Sequence, residues 1–155
     1  LITLAFMFSY IESLIPMPVF VPGMKIGLAN LVVIAALYKM GARDAIILSF
    51  VRVLLVALTF GNAFSLLYSI AGGMFSLLVM ALLKKSRSFG MSGVSVAGGI
   101  SHNIAQIAVA ALVLETGELI YYLPFLLIAG SVTGLIIGIL GKGVLEKLRA
   151  VPSFS

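Results

Sequence analysis

Apolar residues run through this chain in stretches of helical length, broken by short polar or Pro/Gly-rich pieces. Long uninterrupted runs favour membrane helices over the alternating ~10-residue strands of a membrane barrel. The breaks predict six helices at residues 1–15, 26–40, 43–60, 63–83, 94–114 and 119–140. Pro16-Met17-Pro18 ends the first, Gly41 ends the second, and Gly61-Asn62 is a tight turn. Ser86–Gly93 is a polar loop, Glu115–Glu118 is the next turn, and Gly141–Arg149 reads as a basic amphipathic tail. The connection Pro16–Gly27 is rich in Pro and Gly yet still apolar, as expected of a loop held close to a membrane and able to cover something. Six helices of ~20 residues need ~120 positions. The 155 residues therefore form one transmembrane domain, with no soluble domain, repeat or long linker.

Composition turns that pattern into a membrane assignment. The chain is 62% hydrophobic and 10% charged, against about 25% charged in soluble domains. Leu1–Ile15 has neither a basic n-region nor an A-x-A site, so it reads as a helix rather than a signal peptide. With no cysteine there is no disulfide framework, thiolate nucleophile or cysteine metal site.

The net charge of +5 would suggest nucleic acid on a soluble protein. Here its placement speaks for topology instead. Lys39, Arg43, Lys84, Lys85, Arg87, Lys142, Lys147 and Arg149 follow helices 2, 4 and 6, whereas the opposite ends carry Lys25 alone. The positive-inside rule then puts both termini in the cytoplasm and the 16–27, 61–62 and 115–118 connections outside.

The remaining basic residue, Arg52, falls halfway along helix 3, where an arginine costs at least ~2.5–3.5 kcal/mol. It needs a partner. Glu12, near the outer end of helix 1, lies within ~6 Å of it in depth. Two readings stand: an Arg52–Glu12 pair that fixes packing, or an Arg52 that meets an anionic ligand entering from outside. Helix 5 carries His102, the only histidine, with Asn103 and Gln106. Their i, i+3 and i, i+4 spacing makes one polar patch. Interhelical hydrogen bonding is one use for it; a ligand site is the other. No metal site is expected, because there is no second histidine and carboxylates are few. Gly72-Gly73 and Gly98-Gly99 allow close approach of backbone or ligand, while Gly130, Gly134 and Gly138 make a G-x-x-x-G-x-x-x-G face suited to packing, internal or with a partner subunit.

Enzyme readings lack residues. Glu12, Asp44, Glu115, Glu118 and Glu146 are the acidic side chains, and they form no aspartate-rich motif. Walker A, G-x-S-x-G and H-E-x-x-H motifs are absent. The chain is expected to be neither an enzyme nor a cofactor protein, and active transport would need an outside energiser.

The runs Pro22-Gly23-Met24-Lys25-Ile26-Gly27-Leu28-Ala29-Asn30-Leu31, Ser69-Ile70-Ala71-Gly72-Gly73 and Gly98-Gly99-Ile100-Ser101-His102-Asn103-Ile104-Ala105-Gln106, with Arg52, resemble the Gx transporter family. That family also carries the name heptaprenyl diphosphate synthase component I. It resembles in turn the substrate-binding S components of energy-coupling factor (ECF) transporters. The resemblance implies an all-α, six-helix bundle in a bacterial plasma membrane, with both termini inside and substrate held near the outer face under the loop joining helices 1 and 2. It implies as partners a transmembrane coupling subunit and cytoplasmic ATPases. The small face Ala5/Ser9/Ser13 resembles the surface by which S components dock on the coupling subunit.

The reading is therefore a membrane substrate-binding subunit for a small molecule with an anionic part. Its expected site comprises Glu12, Lys25, Asn30, Arg52, His102, Asn103 and Gln106, under Pro16–Gly27 as lid. The alternative is a non-catalytic membrane component of heptaprenyl diphosphate synthesis.

Overall fold

The computed structural model describes residues 1–14, 27–61 and 63–150, and the side chains of these except at 60, 65 and 148–150. Among them are six α-helices: α1 (Ile2–Leu14), α2 (Leu28–Lys39), α3 (Ala42–Phe60), α4 (Ala63–Ser86), α5 (Met91–Val113) and α6 (Leu123–Ala150). A short 3-10 turn, Glu118–Tyr122, precedes α6. The sixth helix was expected from residue 119 and begins at Leu123 instead. Pro124 then occupies its first turn, where a missing N–H costs nothing. The expected tail after Leu140 is not separate, since α6 continues through it to Ala150. Helix 5 starts at Met91, three residues earlier than its apolar run suggested.

Gly41 joins α2 to α3 with φ +111°, a conformation that side chains with a Cβ rarely take. This permits the abrupt turn between the two helices. The pairs α2–α3, α3–α4, α4–α5, α5–α6 and α6–α2 close a ring, and α1 lies against α2 and α3. The shortest helix is the core. Val32, Val33, Ile34, Ala36 and Leu37 of α2 are all buried, as expected of a helix apolar on every face.

The seam between α5 and α6 is built on glycine. A Cβ on Gly134 would sit 2.7 Å from Ser95 O, and one on Gly138 would sit 2.6 Å from Ser92 Cα. Gly99 and Gly130 face each other backbone to backbone. The glycine face of α6 is thus consumed inside the bundle. On the other side of α5, Ser76 Oγ of α4 donates to Gly98 O at 2.8 Å.

The outer surface is apolar. Leu58, Leu112 and Tyr121 are 75%, 78% and 80% exposed, which a soluble monomer does not present so widely. Three segments, Leu66–Ser86, Met91–Val113 and Glu118–Lys147, are long and apolar enough to cross a membrane. The expectation of six such spans is met only at this coarser level. With 13 and 12 residues, α1 and α2 are about 20 Å and 18 Å long, short of a ~30 Å hydrocarbon core.

Several basic residues gather at one end. Lys84 Nζ donates to Leu37 O at 2.6 Å and sits 5.0 Å from the Tyr38 ring. A cation thereby satisfies a carbonyl at the C-terminus of α2, and the C-terminal ends of α2 and α4 lie together. A Cβ on Gly141 of α6 would meet Met91 Cε and Ile34 Cγ2, which brings the start of α5 and the beginning of the basic part of α6 against α2.

Candidate functional site

A cavity of about 270 Å³ lies among α1 to α5. Its wall includes Ser9, Glu12 and Ser13 from α1, then Gly27 and Asn30 at the start of α2. Arg52, Val53, Val56 and Ala57 come from α3, with Gly61 beyond it and Ser69 from α4. His102, Asn103 and Gln106 of α5 complete it. Of the seven expected site residues, six therefore line one cavity: Glu12, Asn30, Arg52, His102, Asn103 and Gln106. Lys25, and the expected lid apart from Gly27, lie outside the described residues.

Arg52 is the centre of the site electrostatically. Its Nε is enclosed, and no partner among the described residues accepts its proton. A buried donor left unpaired is expensive, more so on a charged group. Glu12 is close enough for its charge to act on Arg52. Yet its carboxylate accepts the backbone N–H of Gly27, and no bond from Glu12 to Arg52 forms among the described residues. Gly27, at φ +84°, heads α2 with no side-chain cap of its own. A carboxylate from α1 beside that helix N-terminus is favoured by the helix dipole. Neither expected reading named this bond, by which Glu12 ties α1 to the start of α2.

The patch on α5 divides its work. Asn103 Nδ2 donates to Leu126 O of α6 at 2.6 Å, an interhelical bond that Gly130 makes room for, since a Cβ there would meet Nδ2 at 2.7 Å. His102 and Gln106 lie toward α4. A Cβ on Gly72 would come 2.7 Å from Gln106 Cγ and 3.1 Å from His102 Nε2. Gly72 therefore leaves the space that these two side chains occupy. Gln106 is buried, and neither its amide nor that of Asn30 is hydrogen-bonded among the described residues. The cavity thus holds one guanidinium, two amides with unused hydrogen-bonding capacity and an apolar wall of Val53, Val56 and Ala57.

The small face of α1 grades from buried at Ala5 through half-buried at Ser9 to exposed at Ser13. Ala5 is fully buried, and Ser9 and Ser13 line the cavity. Their hydroxyls donate to Ala5 O and Tyr10 O of their own helix, so their oxygens remain acceptors. Ala5 offers no surface for docking, because α1 uses this face to approach α2 and α3. Ser9, Ser13, Ser69, Gly61 and the three apolar wall residues were not expected in the site, although Ser9 and Ser13 had been singled out as a docking face, Gly61 as a turn and Ser69 as part of a family-like run. Among the described residues, no three His, Cys, Asp or Glu side chains come together as a metal site would require.

No curated protein and no solved structure matches the chain. A model of the family described as heptaprenyl diphosphate synthase component I matches residues 1–144. With that match over nearly its whole length, the chain belongs to the heptaprenyl diphosphate synthase component I family.

Proposed function

We propose that this chain is the membrane substrate-binding subunit of an energy-coupled uptake system, built like the S components of ECF transporters, for a small molecule with an anionic part. In this reading it crosses a bacterial plasma membrane six times with both termini in the cytoplasm. The cavity opens toward the outside, away from the basic ends of α2 and α4. The chain has no nucleotide-binding motif, so a transmembrane coupling subunit and cytoplasmic ATPases supply the energy.

One observation carries the reading. Arg52 lines a polar cavity while its enclosed Nε has no partner among the described residues, and the nearby carboxylate is engaged elsewhere. A site that keeps a cation in reserve in low-dielectric surroundings suits an anion that arrives from outside. The test is retention of small molecules by the chain purified from membranes. Wild type is expected to carry a compound that Arg52→Ala and His102→Ala both lose. Equal retention by all three would place the binding site elsewhere.

The family description favours a second reading, a non-catalytic membrane component of heptaprenyl diphosphate synthesis. The chain lacks the aspartate-rich motif that prenyl transfer would call for. This role requires association with a soluble prenyltransferase whose activity falls when the chain is removed. Failure of the two to co-purify would exclude it.

A further inference from the structure

Resting on the binding-subunit reading, we infer that the molecule held in the cavity is a small monocarboxylate with a hydrogen-bonding body, not a phosphorylated or prenylated compound. The charge of the wall decides this. Among the described lining residues the formal charges are Arg52 and Glu12, which cancel. A monocarboxylate leaves these described lining residues and their ligand one unit from neutrality. A phosphate monoester carries about −1.5 to −2 at neutral pH, and a diphosphate carries more. Either would bring excess negative charge into a weakly screened interior beside Glu12, where like charges repel strongly.

Size and donor arrangement agree. A cavity of about 270 Å³ lies just below the 300–1,000 Å³ range of drug-sized ligand sites. A seven-isoprene chain would extend well beyond a cavity of that volume. The α5–α6 seam closes one wall through backbone contacts at Gly99, Gly130, Gly134 and Gly138, so a long tail finds no exit there. The guanidinium of Arg52 matches a planar carboxylate. Asn30 and Gln106 each offer both a donor and an acceptor, which suits hydroxyl, amino or carbonyl groups on the rest of the molecule.

The test uses the whole chain, purified from membranes into lipid nanodiscs. It is incubated with a small-molecule extract of bacterial cells and washed, and the retained compounds are identified by mass spectrometry. Arg52→Gln and Gln106→Leu are run beside it. Isopentenyl diphosphate and inorganic phosphate serve as defined competitors on the wild type. The expected result is retention of compounds bearing one carboxylate. Retention should fall by about tenfold or more in Arg52→Gln, as loss of a buried charge-assisted contact requires, and neither phosphate-bearing competitor should displace them. Arg52-dependent retention of phosphorylated or prenylated compounds, or displacement by isopentenyl diphosphate, would overturn the inference and leave the binding-subunit reading standing. Absence of any compound whose retention depends on Arg52 or Gln106 would remove both. Should Arg52→Gln not elute as a monodisperse protein, Gln106→Leu and the competition on wild type decide the matter.

Discussion

Gly134→Ala probes the seam that holds the α5 patch in place. The new Cβ would lie 2.7 Å from Ser95 O and 2.8 Å from Val96 Cα. Carbon contacts are comfortable at about 3.5–4.0 Å, so α5 and α6 would have to part by roughly 1 Å. The obstruction is helix backbone, not the tip of a side chain that can swing aside. Parting the helices would also stretch the bond from Asn103 to Leu126 O and loosen the contact of Gly138 with Ser92. Overpacking of this kind costs on the order of 1–3 kcal/mol, and the better helix propensity of alanine offsets up to ~1 kcal/mol of it. Gly143→Ala is the matched control: it lies in the same helix with nothing within 4 Å of an added Cβ, so it receives the propensity gain alone. Thermal unfolding of both variants in one detergent reads the difference. Gly134→Ala should unfold below wild type, and Gly143→Ala at or above it. A Gly134→Ala protein as stable as Gly143→Ala would refute the close backbone seam.

Three further outcomes follow from the same geometry. Gly72→Ala pushes on Gln106 and His102 without touching the ligand itself, so small-molecule retention should drop by more than thermal stability does; an unchanged retention profile would separate these residues from the site. Asn103→Leu removes an interhelical bond and should lower stability by about 0.6–1.7 kcal/mol, the range of such bonds in membranes; a stability equal to wild type would show that bond to be idle. Because the chain has no native cysteine, Ser88→Cys and Thr116→Cys report topology cleanly. A membrane-impermeant thiol reagent on intact cells should label Thr116→Cys and spare Ser88→Cys, and the reverse pattern would invert the proposed orientation.

Much of this was legible in the chain. Apolar runs bounded by Gly, Pro and charges placed all six helices, because run length and breakers are local properties. The polar wall of the cavity was legible through its incongruity: Arg52, His102, Asn103 and Gln106 stand out in apolar helices because each is costly there without a use. Ser9 and Ser13 were read as a docking face instead, since a serine that bonds its own helix backbone looks alike on an outward and an inward face. The rotation of α1 about its axis decided that question, and depth counting says nothing of rotation. Glu12 was matched to Arg52 by depth for the same reason. Its hydrogen-bond partner, the N–H of Gly27, is a backbone donor that side-chain patterns do not mark. The 3-10 turn before α6 and the continuation of that helix past Gly141 depended on tertiary packing. Gly141 fits closely against Met91 and Ile34, and Leu145 beyond it is buried.

The central claim is that Arg52 is held in reserve for an anion. An experimental structure of the chain purified from native membranes tests it most directly. The account predicts non-protein density in the cavity, with an oxygen about 2.7–3.2 Å from the Arg52 guanidinium and the remainder between Asn30 and Gln106, while Glu12 stays on Gly27. Arg52 bonded to Glu12 across a cavity that holds only water would contradict it.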